Sequence, residues 1–527
     1  MTYTAYSYLF LYLPLTFLLY TVFPKRLKWT VLLLASYFLF YQISGLRSVC
    51  LFGTTLTVYG GALWLSRLQQ NWELLRKTLS KEKKAREKCR VARQKRAILA
   101  LVLLMNFGIL ALCKYSGFFG SLFKAVLPES LGTTLANKLL MPLGISFYTL
   151  QAAGYLLDVY RGKYAADRNL GRVALFLCFF PQITEGPIGR YDLLARPLYE
   201  GHSFNYQQFT FGLQRIVWGA FKKIVIADRA NALVGTVFGD PGSYVGLTVL
   251  LASVLYTVQI YMEFSGAMDI VTGSASLFGV PLSENFERPF FSRTVNEFWR
   301  RWHITLGAWL RDYVFYSISL SKPLQHLGHA VRKHCSPFFA KFIPTAVALF
   351  FVWLGMGIWH GVGWKYVLYG MYYYVLMLLG MLAEPQAEML CGKLRVSRQS
   401  KGYHVFQILR TCLLVNFGML LFRADSTASA FQMFASIFRG FSLQTLADGS
   451  LLTLGCDGKD LLLILLGTLI VFGADLLRER GHALRTELAA RPLAVRWTVY
   501  LAGILAVIVL GAYGSGYDVV DLIYAQF

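Results

Sequence analysis

Long uncharged apolar runs, separated by short basic segments, make up most of the chain. The first is "AYSYLFLYLPLTFLLYTVF" and the last "WTVYLAGILAVIVLGAYG". About 20 apolar residues cross a bilayer as a helix, so the pattern predicts a polytopic, all-α membrane protein with roughly ten to twelve spans or partial spans. "MTYTAYSYLF" carries neither a basic first segment nor a small-residue cleavage site, which predicts that the first span is retained.

Three stretches depart from this pattern. "LFLCFFPQITEGPIGRYDLL" has a Pro-Gln break followed by Glu185, Gly186 and Pro187, and predicts a re-entrant or broken helix. "QIYMEFSGAMDIVTG" places Glu263 and Asp269 inside an apolar run, where carboxylates face a bundle interior or a wet cavity. In the third, residues 295–313 read as one amphipathic helix at about 100° per residue. Val295, Trp299, Trp302, Leu306, Leu310 and Tyr313 share one side; Glu297, Arg300, Arg301, Arg311 and Asp312 share the other. That distribution predicts a helix lying in the membrane interface, with His303 at the margin of its apolar side.

Composition agrees: 56% of the 527 residues are apolar and 15% charged, which excludes an ordinary soluble domain. The formal charge of +24 does not imply nucleic acid, because the basic residues gather between apolar runs, where the positive-inside rule expects them. Residues 76–96 hold eleven Lys or Arg against two Glu and predict a solvated cytoplasmic hairpin (67–97), with docking of an acidic carrier protein as the alternative. Lys25, Arg26 and Lys28 after the first span, and the basic segment 478–496 before the last, place both termini outside.

Eight cysteines show neither C-x-x-C nor zinc spacing, and Cys178 reads as a packing residue rather than an acyl-accepting nucleophile. His326, His329 and His334 lack a completing carboxylate or thiol, so a solvated cytoplasmic loop is expected there and no metal site. His360 is different. It follows eighteen residues without a charge (342–359), with Gly355, Gly357, Gly361 and Gly363 around it and Trp353, Trp359 and Trp364 near enough to line a tunnel. A neutral imidazole at membrane depth is a candidate general base, taking the proton from a hydroxyl that attacks an activated acyl group; a core histidine bonded to a neighbouring helix is the structural alternative.

"PLGISFYTLQAAGYLLDVYRG", "FFPQITEGPIGRY", "QIYMEFSGAMDIVTG", "FWRRWHITLGAWLRDYVFY" and "GMGIWHG" occur in this order, with a weaker echo at "LLFRADSTASAFQMF". Together they resemble the membrane-bound O-acyltransferase family, in particular the bacterial branch containing alginate O-acetyltransferases and teichoic-acid D-alanyl transferases. The resemblance implies a single membrane domain: N-terminal spans (1–138), a motif core (139–382) and C-terminal spans (383–527), as a ring of tilted helices around a tunnel. It further implies His360 as catalytic base and His303 as a second essential histidine, with Asn296, Trp299, Arg311 and Asp312 shaping the thioester entrance. The expected donor is a cytoplasmic thioester, either acetyl-CoA or an acyl carrier protein's phosphopantetheine arm, with no bound cofactor. The expected surroundings are a bacterial cytoplasmic membrane and an extracytoplasmic SGNH-type partner. The expected activity is O-acylation, chiefly acetylation, of a cell-envelope polysaccharide. Alternatives are D-alanyl transfer toward teichoic acid and, from Glu263 and Asp269, a transporter.

Overall fold

Backbone N–H and C=O groups in hydrocarbon have no water to bond, and a helix satisfies them within one segment. In the computed structural model, which describes residues 3–116, 119 and 141–513, the described residues accordingly form helices joined by short turns. Among them, Phe286 and Trp302 make the one isolated β-bridge. Among the described residues, eight helical segments are long and apolar enough to span a membrane, one of them the stretch Lys25–Thr78. Other apolar runs fold as shorter helices such as Ser7–Val22, the partial spans of the sequence pattern. The expected outward C-terminal tail lies outside the described residues.

The chain divides into two compact units: Met1–Gly212 with Val271–Ser283, and Leu213–Ile270 with Glu284–Phe527. The first unit contains α1 (Leu13–Val22), α2 (Lys28–Ser44), α3 (Ser48–Thr78), α4 (Lys81–Lys114), α5 (Ile145–Arg161), α6 (Leu170–Cys178) and α7 (Tyr191–Tyr199). α3 and α4 form the basic hairpin, whose charged residues are largely exposed. Deeper in it, Asn106 Nδ2 donates to Thr57 Oγ1 at 3.1 Å and to Val102 O at 2.8 Å.

The broken segment after α6 is irregular and buried. Its backbone is satisfied by side chains from neighbouring helices, as a non-helical stretch away from water requires. Gln151 of α5 donates to Phe176 O and accepts from Gly189 N at 3.0 Å. Ser36 Oγ accepts from Phe180 N at 3.0 Å, and Tyr3 O–H donates to Phe180 O at 3.1 Å. Cys178 is fully buried here, and burial pushes its thiol well up, which opposes a nucleophilic role.

In the second unit, following α8 (Tyr206–Ala220), a π-helical turn at Phe221–Ala227 carries Lys222 and Lys223 inward before α9 (Asp228–Gly239). They meet the two carboxylates of α10 (Leu247–Leu277): Lys222 with Asp269 at 2.6 Å and Lys223 with Glu263 at 3.3 Å. Arg215 also reaches Asp269, at 2.7 Å. The carboxylates predicted to face a bundle interior therefore do so as members of ion pairs.

The residues 295–313 form two helices rather than one, α11 (Val295–Arg301) and α12 (Ile304–Leu310), for reasons given below. Trp299, Trp302, Leu306, Leu310 and Tyr313 are buried as the pattern predicts. His326, His329 and His334 lie exposed on a helix, α13 (Lys322–His334), not in a loop, because the apolar residues among them recur at helical spacing. No metal-ligating cluster occurs among the described residues. The remaining helices are α14 (Pro337–His360), α15 (Trp364–Lys393), α16 (Lys401–Arg423), α17 (Thr427–Ile437), α18 (Gly458–Glu479), α19 (Leu484–Ala489) and α20 (Leu493–Leu510).

α14 and α15 pack backbone against backbone. A Cβ on Gly357 would collide with the Tyr366 carbonyl, one on Gly370 with the Trp353 carbonyl, and one on Gly361 with the Tyr366 ring. Gly→Ala in an exposed helix normally stabilises by about 1 kcal/mol. At Gly370 the sign reverses: Gly370→Val is expected to destabilise by about 1–3 kcal/mol through overpacking, read as a lowered unfolding temperature in detergent, whereas Gly380, with nothing within 4 Å, should tolerate alanine.

Candidate active site

Between α11 and α12, His303 takes a left-handed backbone (φ 48°, ψ 51°). For an L-residue this costs roughly 1–2 kcal/mol, and the preceding segment holds it in place. Glu287 N donates to Arg301 O at 2.9 Å and Ile304 N to Asn285 O at 3.0 Å. Asn285 Oδ1 accepts from Thr305 N at 3.0 Å and from Thr305 Oγ1 at 2.6 Å. Asn285 thus caps α12 from a distance, a task that falls by position to residue 303. The imidazole of His303 makes no cap and is left to face elsewhere.

It faces aromatic rings. Phe264 meets it edge-on at 4.9 Å between ring centroids and Trp359 lies at 5.9 Å. Only 2% of His303 is exposed, and burial pushes its pKa from the ordinary 6.5 down to about 3. The ring is neutral at physiological pH, able to donate from one nitrogen and accept at the other.

His360 ends α14, after which Gly361 and Gly363 (φ 115°) turn the chain into α15. Its ring lies 5.0 Å from Trp359, 5.7 Å from Tyr369 and 5.1 Å from Phe422. Trp359 therefore touches both histidines, so their centroids are no farther apart than its two distances combined. Residues 57 apart in sequence share one wall. The glycines near His360 serve packing more than open space: Tyr366 fills the room beside Gly357 and Gly361, while Gly355 has no atom within 4 Å of its side-chain position. Trp353 is buried against Tyr373 and Trp299, whereas Trp364 is 81% exposed and lines no interior.

Trp299 is linked to this cluster through Tyr369, at 6.3 Å. Its buried indole N–H has no hydrogen-bond partner among the described residues. Asn296 sits on the exposed side of α11. Arg311 is also exposed and donates to Asp312 at 2.9 Å. The structure brings His303, His360 and Trp299 into one aromatic cluster and leaves Asn296 and Arg311 exposed and Asp312 half-buried, outside that cluster. Sequence reasoning did not single out Asn285, Phe264, Tyr369 or Phe422. Of these, Phe422 lies in the weak echo "LLFRADST", while Asn285 carried no signal because its role is set by distant backbone.

The description "MBOAT, membrane-bound O-acyltransferase family" belongs to the family model that matches residues 166–328. A probable alginate O-acetylase AlgI from Pseudomonas aeruginosa is 30% identical over 448 residues, covering 83% of this chain and 75% of that protein. A peptidoglycan O-acetyltransferase from Helicobacter pylori is 27% identical over 399 residues, 69% of this chain and 67% of that one. A teichoic acid D-alanyltransferase from Bacillus subtilis is 28% identical over 254 residues, 46% and 59% respectively.

The buried neutral His303 makes stability pH-dependent in a definite direction. Unfolded, the imidazole takes up a proton near 6.5; folded, it resists until about 3. Its contribution is thus intact above about pH 6.5 and is lost as pH falls toward 3. The unfolding temperature of His303→Gln should fall less steeply than that of the native protein between pH 6.5 and 4, measured in the same detergent.

Proposed function

Since the chain belongs to the membrane-bound O-acyltransferase family, we propose that it moves acetyl groups from a cytoplasmic thioester to hydroxyls destined for a cell-envelope polysaccharide. The observation that carries the reading is the pair of buried histidines sharing Trp359. The larger share of the chain matched by the O-acetylases than by the D-alanyltransferase favours acetyl over D-alanyl.

His360 acts as general base, drawing the proton from the incoming hydroxyl as its oxygen attacks the thioester carbonyl. Neutral His303 donates a hydrogen bond to the carbonyl oxygen as negative charge develops there. The C–S bond then breaks, and the leaving thiolate takes the proton from the His360 imidazolium. The aromatic rings exclude water, which would otherwise hydrolyse the acyl group. The donor is acetyl-CoA or the phosphopantetheine arm of a carrier protein, and the exposed basic hairpin of α3 and α4 offers an acidic carrier a complementary surface. Asn296, exposed on α11, and Arg311 and Asp312, in the π-helical turn after α12, guide the thioester toward Trp299. The enzyme resides in the bacterial cytoplasmic membrane with both termini outside, and an SGNH-type partner completes delivery to the polymer.

His360→Ala should reduce ester-linked acetate on the envelope polysaccharide by roughly 10²–10⁴-fold at unchanged protein level, quantified by mass spectrometry of the purified polymer. Undiminished acetylation would remove His360 from the chemistry. His303→Gln is expected to lower turnover while leaving the apparent affinity for the thioester largely unchanged, a split that kinetics with acetyl-CoA in membranes would resolve.

A further inference from the structure

α3 and α4 meet along one narrow face, and their contacts follow an antiparallel register. Gly61 of α3 stands against Val102 of α4, where an added Cβ would come within 2.7 Å of a valine methyl. One turn along, Asn106 Nδ2 donates to Thr57 Oγ1 at 3.1 Å. In the other direction, toward the basic turn, Lys95 Nζ donates to Gln69 Oε1 at 2.8 Å. Residues three and four apart share a helix face. Thr54 and Cys50 therefore continue the α3 face beyond Thr57, and Ile109 and Cys113 continue the α4 face beyond Asn106. Two turns past the Thr57–Asn106 bond, Cys50 falls opposite Cys113, and the two thiols are in hydrogen-bond contact. Glycine and threonine along α3 let the helices approach closely enough for side chains this short to meet. Both cysteines are free thiols, Cys113 buried and Cys50 half-buried.

Helix length identifies which end of the hairpin this is. α3 has 31 residues and α4 has 34, which makes them about 46 and 51 Å long, well over the ~30 Å of a hydrocarbon core. Cys50 lies in the first turn of α3 and Cys113 in the last turn of α4, at the far end from the turn that joins Thr78 to Lys81. Arg47 just before α3 and Lys114 at the end of α4 bracket the pair with charge, as at a headgroup boundary. With the basic end in the cytoplasm, the thiol pair lies at the outer boundary of the membrane. Disulfides form and persist on that side and are rare in the cytoplasm.

We propose that Cys50 and Cys113 form a disulfide that clips the outer end of the α3–α4 hairpin. The proposal goes beyond the acyltransferase reading and rests only on the membrane orientation given with it. The oxidant is the oxidised cysteine pair of an extracytoplasmic thiol oxidoreductase. Cys50, the more accessible thiol, loses its proton and attacks one sulfur of that pair, whose S–S bond breaks with the electron pair going to the other sulfur. Cys113 then loses its proton and attacks the Cys50 sulfur, forming the intramolecular bond and expelling the first partner sulfur as thiolate. The partner departs as a dithiol, carrying the two electrons and the two protons. The new bond closes a covalent loop around the whole basic hairpin and restricts the unfolded chain, which stabilises the folded unit. α5 packs on both helices, with Leu156 beside Gly61, so the clip secures the support of α5.

The test uses the full chain in membranes of cells with an intact extracytoplasmic oxidation system. Free thiols are blocked with N-ethylmaleimide at lysis, and the peptides are read by mass spectrometry. The Cys50 and Cys113 peptides should be joined and two hydrogens lighter than the separate pair, whereas Cys89, exposed at the basic end, should be alkylated. Cys50→Ser or Cys113→Ser should abolish the joined peptide, and Cys335→Ser should leave it. In detergent, a phosphine reductant should lower the unfolding temperature of the native protein by several degrees and leave that of Cys50→Ser unmoved. Alkylation of both thiols, or a bond from either to another cysteine, would overturn the proposal. Two further measurements then identify the premise that failed. Diamide added to the solubilised protein joins the pair if the thiols touch, and its failure to do so sinks the helix register. Labelling of Cys89 by a membrane-impermeant maleimide in intact spheroplasts reverses the orientation and takes the disulfide with it. Ester-linked acetate on the polymer, followed in the same cells, reports on the acyltransferase reading independently of both.

Discussion

A backbone amide left without a partner away from water costs several kcal/mol, and that constraint governs the buried places among the described residues where the chain stops being helical. In each unit an amide side chain takes over the missing bonds. Gln151 does so for the broken stretch between Phe176 and Gly189. Asn285 does so where α11 gives way to α12. Asn416 plays a related part between helices, accepting from Thr257 at 2.8 Å and donating to Ser253 at 3.0 Å. His303 can leave helical geometry inside the protein because Asn285 has already paired the amide that the break exposes.

Charge obeys the same economy. Glu263 and Asp269 would be costly in α10 alone, and the π-helical turn that swings Lys222 and Lys223 toward them supplies the counter-charge. Tyr261 adds a hydrogen bond to Asp475 of α18 at 2.8 Å, and Arg288 and Arg301 both reach Glu479 at the end of the same helix. Carboxylates held this way act as struts between helices. They need no translocated ion to explain them, which removes the feature that suggested a transporter.

Much of the fold could be read from the chain because apolar length, basic loops and helical periodicity are local quantities. The buried side of residues 295–313 is one example: its tryptophans and leucines fall inside as the spacing predicts. The break at His303 was not readable, because nothing local forbids a helix through "RRWHIT"; Asn285, Phe286 and Glu287, paired with it in space, impose the turn. The glycines around His360 stand out in the sequence, which allows close approach of either backbone or substrate there and cannot say whether a missing side chain admits a ligand or a neighbouring helix. Tyr366 and Trp353 supply the answer at Gly357, Gly361 and Gly370. Among the site residues, the histidines stood out because imidazole is rare in apolar runs, while Phe264, Tyr369 and Phe422 were hidden among the many aromatics of a membrane protein.

Trp359 gives the two histidines a common neighbour, and a common neighbour makes their energetics inseparable. A change at either imidazole that shifts the indole alters the packing seen by the other, so effects at His303 and His360 will not sum as independent contributions. Under such coupling a substitution at either position is tolerated or rejected according to what stands on the far side of the same ring.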